Sequence, residues 1–342
     1  MTRFLPRSVY RLVFSVALVA ALGAAGVFWL TRPMIGAEPL HPVAALALAW
    51  GNGPDQVGLA PIQGEGYLGP NTFCVDEAGI FYILDSVNGA LKRFSPQGTL
   101  LENTPLPQNV ARGAKQMTVI DGVVAISYLS ETWGSDLGFV RDGKFQVIPL
   151  ADQVPGFIGF YWFERTTQPK AIVVRRDVPP EDAASDKAPF KVVLGSDGRV
   201  IRTLASPNAA VDERTPRYMI RTASSGNITL EAWDLNGAPT KSIDLGYTSS
   251  DLVWGVGLDG KGNLYLHARS TAPGTTATWL LVYDRSLNLI AKHELAMDQN
   301  WEAHEYQPTL SAGNMELVGP DGTYYEMRYL KDHFTIFRYT PR

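Results

Sequence analysis

Residues 50–98 read WGNGPDQVGLAPIQGEGYLGPNTFCVDEAGIFYILDSVNGALKRFSPQG. Short apolar runs at 72–75 and 80–84, followed by LKRF at 91–94, are separated by turn-forming residues: Asp76-Glu77-Ala78-Gly79, then Asn88-Gly89, then Ser95-Pro96-Gln97-Gly98. Runs this short, rich in Phe, Tyr, Ile and Val and punctuated by glycine, are strands of an antiparallel sheet.

The closing element of the stretch, a strand, a tight turn and another strand, recurs along the chain. Its turns are Ser95-Pro96-Gln97-Gly98, Arg141-Asp142-Gly143, Ser196-Asp197-Gly198 and Asp234-Leu235-Asn236-Gly237, then the looser Asp284-Arg285-Ser286-Leu287-Asn288. They lie 39 to 55 residues apart, the length of one four-stranded propeller blade. A second series, Asp76–Gly79, 120–122, 259–262 and 320–322, falls where the first and second strands of blades 1, 2, 5 and 6 would join. Blade 3 carries an insertion, RDVPPEDAASDKAP at 176–189, which reads as an exposed loop, and the innermost strand of blade 4 has no clear counterpart. After 334–339 no residues remain for the fourth strand of the last blade, whereas VAALALAW at 43–50 is a strand without a sheet. The expected fold is therefore an all-β, six-bladed β-propeller closed by that N-terminal strand, which leaves no open edge between first and last blades.

On Gly69-Pro70, Val75-Asp76, Gly79, Asp85, Asn88 and Lys92-Arg93-Phe94, residues 50–98 resemble the unit of the NHL-repeat propellers. The other blades keep only the turns. The resemblance implies a ring used mainly for binding proteins or ligands. Related six-bladed propellers include calcium-dependent lactonases and esterases and a metal-dependent lyase. Asp85 and Asn88 suit side-chain bonds to the turn backbone and read as structural.

Ahead of the propeller, residues 12–30 read LVFSVALVAALGAAGVFWL, nineteen residues without a charge. As a helix these span roughly 28 Å, about a bilayer core. Arg3, Arg7 and Arg11 precede the run; after Arg32 no Lys or Arg occurs until Lys92. This asymmetry predicts a single-pass anchor with a cytoplasmic tail at 1–11 and a periplasmic or extracellular propeller at 43–342. A cleaved signal peptide is the competing reading, with Ile35-Gly36-Ala37 as its cleavage site, and delivers the same domain to the same side. Residues 31–42, with Pro33, Pro39 and Pro42, read as a short, stiff tether.

Of 342 residues, 45% are hydrophobic and 19% charged, which supports a packed core and excludes a disordered chain. The net charge of -4 offers no footprint for nucleic acid. The single cysteine, Cys74, permits no intrachain disulfide. Chemistry-bearing motifs are sparse. His293-Glu294 and His304-Glu305 are not HExxH, and no phosphate loop, Gly-x-Ser-x-Gly elbow or Cys-x-x-Cys pattern occurs.

Innermost strands predict Asn71, Gln116, Tyr161, Asp251 and Gln307 near the channel, where a single carboxylate makes a poor calcium cage; no cofactor is expected. The aromatic run at 157–163 reads first as core packing, with an aromatic patch at the ring mouth as the alternative. Candidate interaction residues are Trp133 and Asp136 in the 131–136 loop, Tyr161 and Trp162, Asp182 in the insertion, and His304. The expected function is a non-enzymatic binding or scaffold propeller, tethered to a membrane and serving a protein partner. The alternatives are a tethered propeller hydrolase or lyase using a channel metal, and an extracytoplasmic ligand sensor.

Overall fold

A computed structural model describes residues 34–35, 39–63, 66–131, 134–164, 171–177, 188–211, 216–271, 277–296 and 315–340. Six antiparallel sheets follow one another as the blades of a propeller. Blade 1 runs Pro70–Val75, Phe81–Asp85, Ala90–Phe94 and Leu100–Pro105, and blade 2 runs Ala114–Ile120, Val123–Leu129, Ser135–Arg141 and Lys144–Ile148. Blade 3 is Phe160–Glu164, Ala171–Asp177, Lys191–Gly195 and Val200–Leu204; blade 5 is Leu252–Leu258, Leu264–Arg269, Thr278–Tyr283 and Leu289–Leu295.

The turns form for two local reasons. In one class an aspartate opens the turn and folds its carboxylate back onto the chain. Asp76 Oδ1 accepts from the Ala78 and Ile80 N–H groups, both at 2.9 Å, and Gly79 supplies the positive φ of 76°. The same bonds recur at Asp234, Asp259 and Asp284. In the other class Asp-Gly pairs make two-residue hairpins: Asp121 and Asp142 have φ of 50° and 49°, the left-handed pair that such a hairpin requires.

Blade 6 consists of Glu316–Val318, Tyr324–Tyr329 and His333–Tyr339, and its outer strand is Val43–Ala49. Ala49 faces His333 and Val43 faces Arg338. Leu46 and Leu48 point inward and join a core shared with blades 1 and 2, a contribution of roughly 1.5–3 kcal/mol each. Trp50 completes the seam, its Nε1–H donating to the Leu330 carbonyl at 2.8 Å and its ring edge-on to Tyr329.

Blade 4 has three strands among the described residues, Arg217–Thr222, Asn227–Trp233 and Pro239–Thr248. Its Asp234 turn joins the last two, as the corresponding turn does elsewhere. By that correspondence these are the second to fourth strands of the blade, and the innermost, which had no clear counterpart in the sequence, is not found among the described residues. Apolar cores fill the other seams. At the junction of blades 3 and 4 the core among the described residues is small: Ala171, Val173 and Val193 meet Val211 and the flank of Leu204.

Two regions differ from the sequence reading. Arg176, the first residue of the expected loop insertion, is buried on a blade 3 strand. Its guanidinium donates to the carbonyls of Pro189 at 2.7 Å, Ala188 at 2.8 Å and Ile158 at 3.3 Å. Within the expected tether, Met34–Ile35 is a short strand on the outer edge of blade 5. Among the described residues no helix is long and apolar enough to cross a membrane; residues 12–30 lie outside them.

Candidate ligand-binding cavity at the ring centre

A cavity of about 600 Å³ opens at the centre of the ring, within the usual size range for small-molecule sites. Blade 2 contributes Gln116, blade 3 Phe163, Glu164 and Arg175, and blade 4 Arg217 and Tyr218. Trp254 and its neighbours to Leu258 come from blade 5, and Glu316 from blade 6. Arg217 and Tyr218 lie on Arg217–Thr222, the first strand of blade 4 among the described residues.

On one wall Glu164 gathers three cations. Lys191 Nζ lies 2.7 Å from Oε2, while Arg217 Nε and Arg175 Nε lie 3.5 Å and 3.9 Å from Oε1. Lys191 is fully buried and also donates to the Ala209 carbonyl at 2.6 Å. Burial drives its ammonium down to about 8, against the pull of Glu164. Arg217 donates onward to the Pro207 carbonyl and to Asn208 Oδ1. This polar network spans the seam where the apolar core is thinnest.

On the blade 5 and blade 6 side, the lining residues Trp254 and Glu316 brace a buried histidine. His267 Nδ1 lies 3.1 Å from both Glu316 oxygens, which places the ring proton on Nδ1. Trp254 lies over the imidazole, centroids 4.2 Å apart, and donates Nε1–H to Glu316 Oε2 at 3.0 Å. Trp254 and His267 are register partners on adjacent strands. Tyr324 approaches the same Nδ1 at 3.4 Å. Behind them Glu326 is buried and its carboxyl is pushed up by desolvation, opposed by Arg328; it accepts from Tyr339 Oη at 3.0 Å.

The expected residues fall in several places. Gln116 lines the cavity, its Oε1 accepting from the Phe163 N–H at 2.6 Å. Asn71 is buried instead, donating to the carbonyls of Ala111 and Arg112. Asp251 caps a surface turn through Thr248, Ser270 and Thr271.

Tyr161 is buried rather than exposed. It stacks on Phe157 and donates to its carbonyl at 2.6 Å, and burial raises its phenol to about 12. Its neighbours Phe160 and Trp162 are the exposed members of that strand, at 39% and 36%. Asp136 is half-buried on a blade 2 strand, facing Tyr128. Trp133, Asp182, His304 and Gln307 lie outside the described residues.

Asp85 and Asn88 make a clip that straps the 51–58 loop onto blade 1. Asp85 accepts from the Gly58 N–H at 3.1 Å and from Asn88 Nδ2 at 2.8 Å, and pairs with buried Lys92 at 3.0 Å. Asn88 Nδ2 also donates to the Gly51 carbonyl at 2.9 Å, and Lys92 to that of Gly53 at 3.2 Å.

No known family model matches the chain, and no curated protein matches it in sequence. Among solved structures it is similar to a member of the DUF4221 family from Bacteroides vulgatus, at 11% identity and a TM-score of 0.45, covering 88% of this chain and 98% of that one. A luciferin-regenerating enzyme matches at 12% identity and TM-score 0.41, covering 83% and 95%. The calcium-binding protein regucalcin from Agrobacterium tumefaciens matches at 15% and 0.38, covering 87% and 95%. Likeness this remote says nothing about the chemistry of the cavity.

Proposed function

We propose that the chain is a non-enzymatic binding propeller of NHL type, anchored in a membrane through residues 12–30 with its ring on the extracytoplasmic side, and that it binds through the centre of the ring. The observation that carries this reading is the central cavity. Trp254, Phe163 and Tyr218 offer aromatic surface there, and Arg175, Arg217, Glu164 and Glu316 offer a few fixed charges, the composition of a recognition site. A protein partner inserting a side chain or terminus, or a small molecule, would meet the same groups. Extraction of the full chain from its native membranes in mild detergent, with identification of whatever co-purifies, tests the reading. A stoichiometric partner or bound molecule that is lost in Trp254→Ala supports it; a lone protein, unchanged by that substitution, contradicts it.

A second reading, a tethered hydrolase or lyase, is favoured by His267. A histidine oriented through Nδ1 by a carboxylate is arranged as acid–base groups are. Turnover of ester or lactone substrates that disappears in His267→Gln would move the assignment to an enzyme.

A further inference from the structure

Two points between the apolar run and the propeller, Met34–Ile35 and Leu40, are bound to the rim. Met34 and Ile35 pair in parallel with Ala291 and Lys292 of blade 5. Farther on, Leu40 bridges Leu295: its N–H donates to the Glu294 carbonyl at 2.7 Å and its carbonyl accepts from the Ala296 N–H at 2.9 Å. Chain length then limits how far the rim can stand from the end of the run at Leu30. Four residue steps reach at most about 14 Å, of which the headgroup layer occupies roughly 5–8 Å. Had 31–42 hung loose, the reach would be about 40 Å.

We propose that the outer edge of blade 5 is held at the headgroup layer of the membrane, so that the ring stands with this rim down instead of swinging on a tether. The inference rests on residues 12–30 being a membrane anchor. Exposed groups on blade 5 and on the adjacent blade 6 agree with a lipid surface: Ile290, on the outer strand of blade 5, is 39% exposed, and Val43, which opens the outer strand of blade 6, is 53% exposed with the exposed Arg338 as its register partner. An apolar side chain beside a basic one, as at Val43 and Arg338, suits an anionic headgroup layer.

The test uses the full chain in vesicles of phosphatidylcholine and phosphatidylserine containing a headgroup-spin-labelled lipid. A fluorophore is placed by Ile290→Cys, or by Val147→Cys on the outer strand of blade 2. Val147 is 50% exposed, and blade 2 stands opposite blade 5 in a six-bladed ring. The wild-type chain, whose Cys74 is buried, is the labelling blank. The proposal predicts several-fold stronger quenching at 290 than at 147. It also predicts that Ile35→Pro combined with Leu40→Pro, which disrupts both pairings with blade 5, erases the difference while the chain still floats with the vesicles. Flotation with equal quenching at both positions would overturn the docked rim and leave the anchor standing. Failure to float would remove the anchor and the docked rim together.

Discussion

Replacing Lys191 with methionine should abolish a particular pH dependence of stability. In the folded chain burial brings the Lys191 ammonium from 10.5 to about 8, with Glu164 pulling the other way. The unfolded chain therefore keeps a proton that the folded chain has already released between these values, so stability rises with pH across that window. A tenfold difference in proton affinity between the two states is worth about 1.4 kcal/mol; between pH 7 and pH 10 the linkage amounts to about 2.5 kcal/mol.

For a propeller of this size that is a rise of about 4 °C in Tm. Buried phenols set the upper limit. Tyr128, Tyr161 and Tyr283 are each raised to about 12, chiefly by burial. The unfolded chain loses those protons first, so stability falls as pH climbs beyond about 10. Thermal unfolding of wild type and Lys191→Met across the range would show the wild-type rise missing from the variant and the alkaline fall common to both. Parallel profiles between pH 8 and pH 10 would refute a desolvated, proton-releasing Lys191.

Three further outcomes are expected. Asp85→Ala leaves Lys92 buried without its carboxylate and frees the 51–58 loop, and should cost about 3–5 kcal/mol, read as a drop of several degrees in Tm. Deleting 43–49 removes the outer strand of blade 6 and exposes the ladder edge of His333–Tyr339; gel filtration should show self-association and limited proteolysis should cut first in blade 6. Trp254→Ala uncovers the His267–Glu316 pair, and should shift the His267 ring resonances in NMR while changing Tm by less than Asp85→Ala does.

The fold was largely legible because its signals are local. An aspartate three residues before a glycine makes its own turn, and the shortage of chain after 334–339 predicts that 43–49 completes blade 6. The cavity was not legible, because its walls come from positions as far apart as 116, 164, 217, 254 and 316, with no spacing to read. The near misses are errors of phase. Side chains alternate along a strand, so a shift of one residue exchanges the two faces: Tyr161 is buried while 160 and 162 are exposed, and Asp251 caps a turn while Trp254, farther along the same segment, lines the cavity. His267 stands out as the last polar residue of LYLH, but its contact with Trp254 follows from strand register and is readable only once the pairing is known.

The most direct test of a binding site at the ring centre is hydrogen–deuterium exchange on the full chain, with and without the species that co-purifies with it. Protection concentrated at 160–164, 217–222 and 252–258, with the outer strands unchanged, is the predicted result. Protection confined to peptides covering 131–135 and 178–189, with the central strands unaffected, would contradict it.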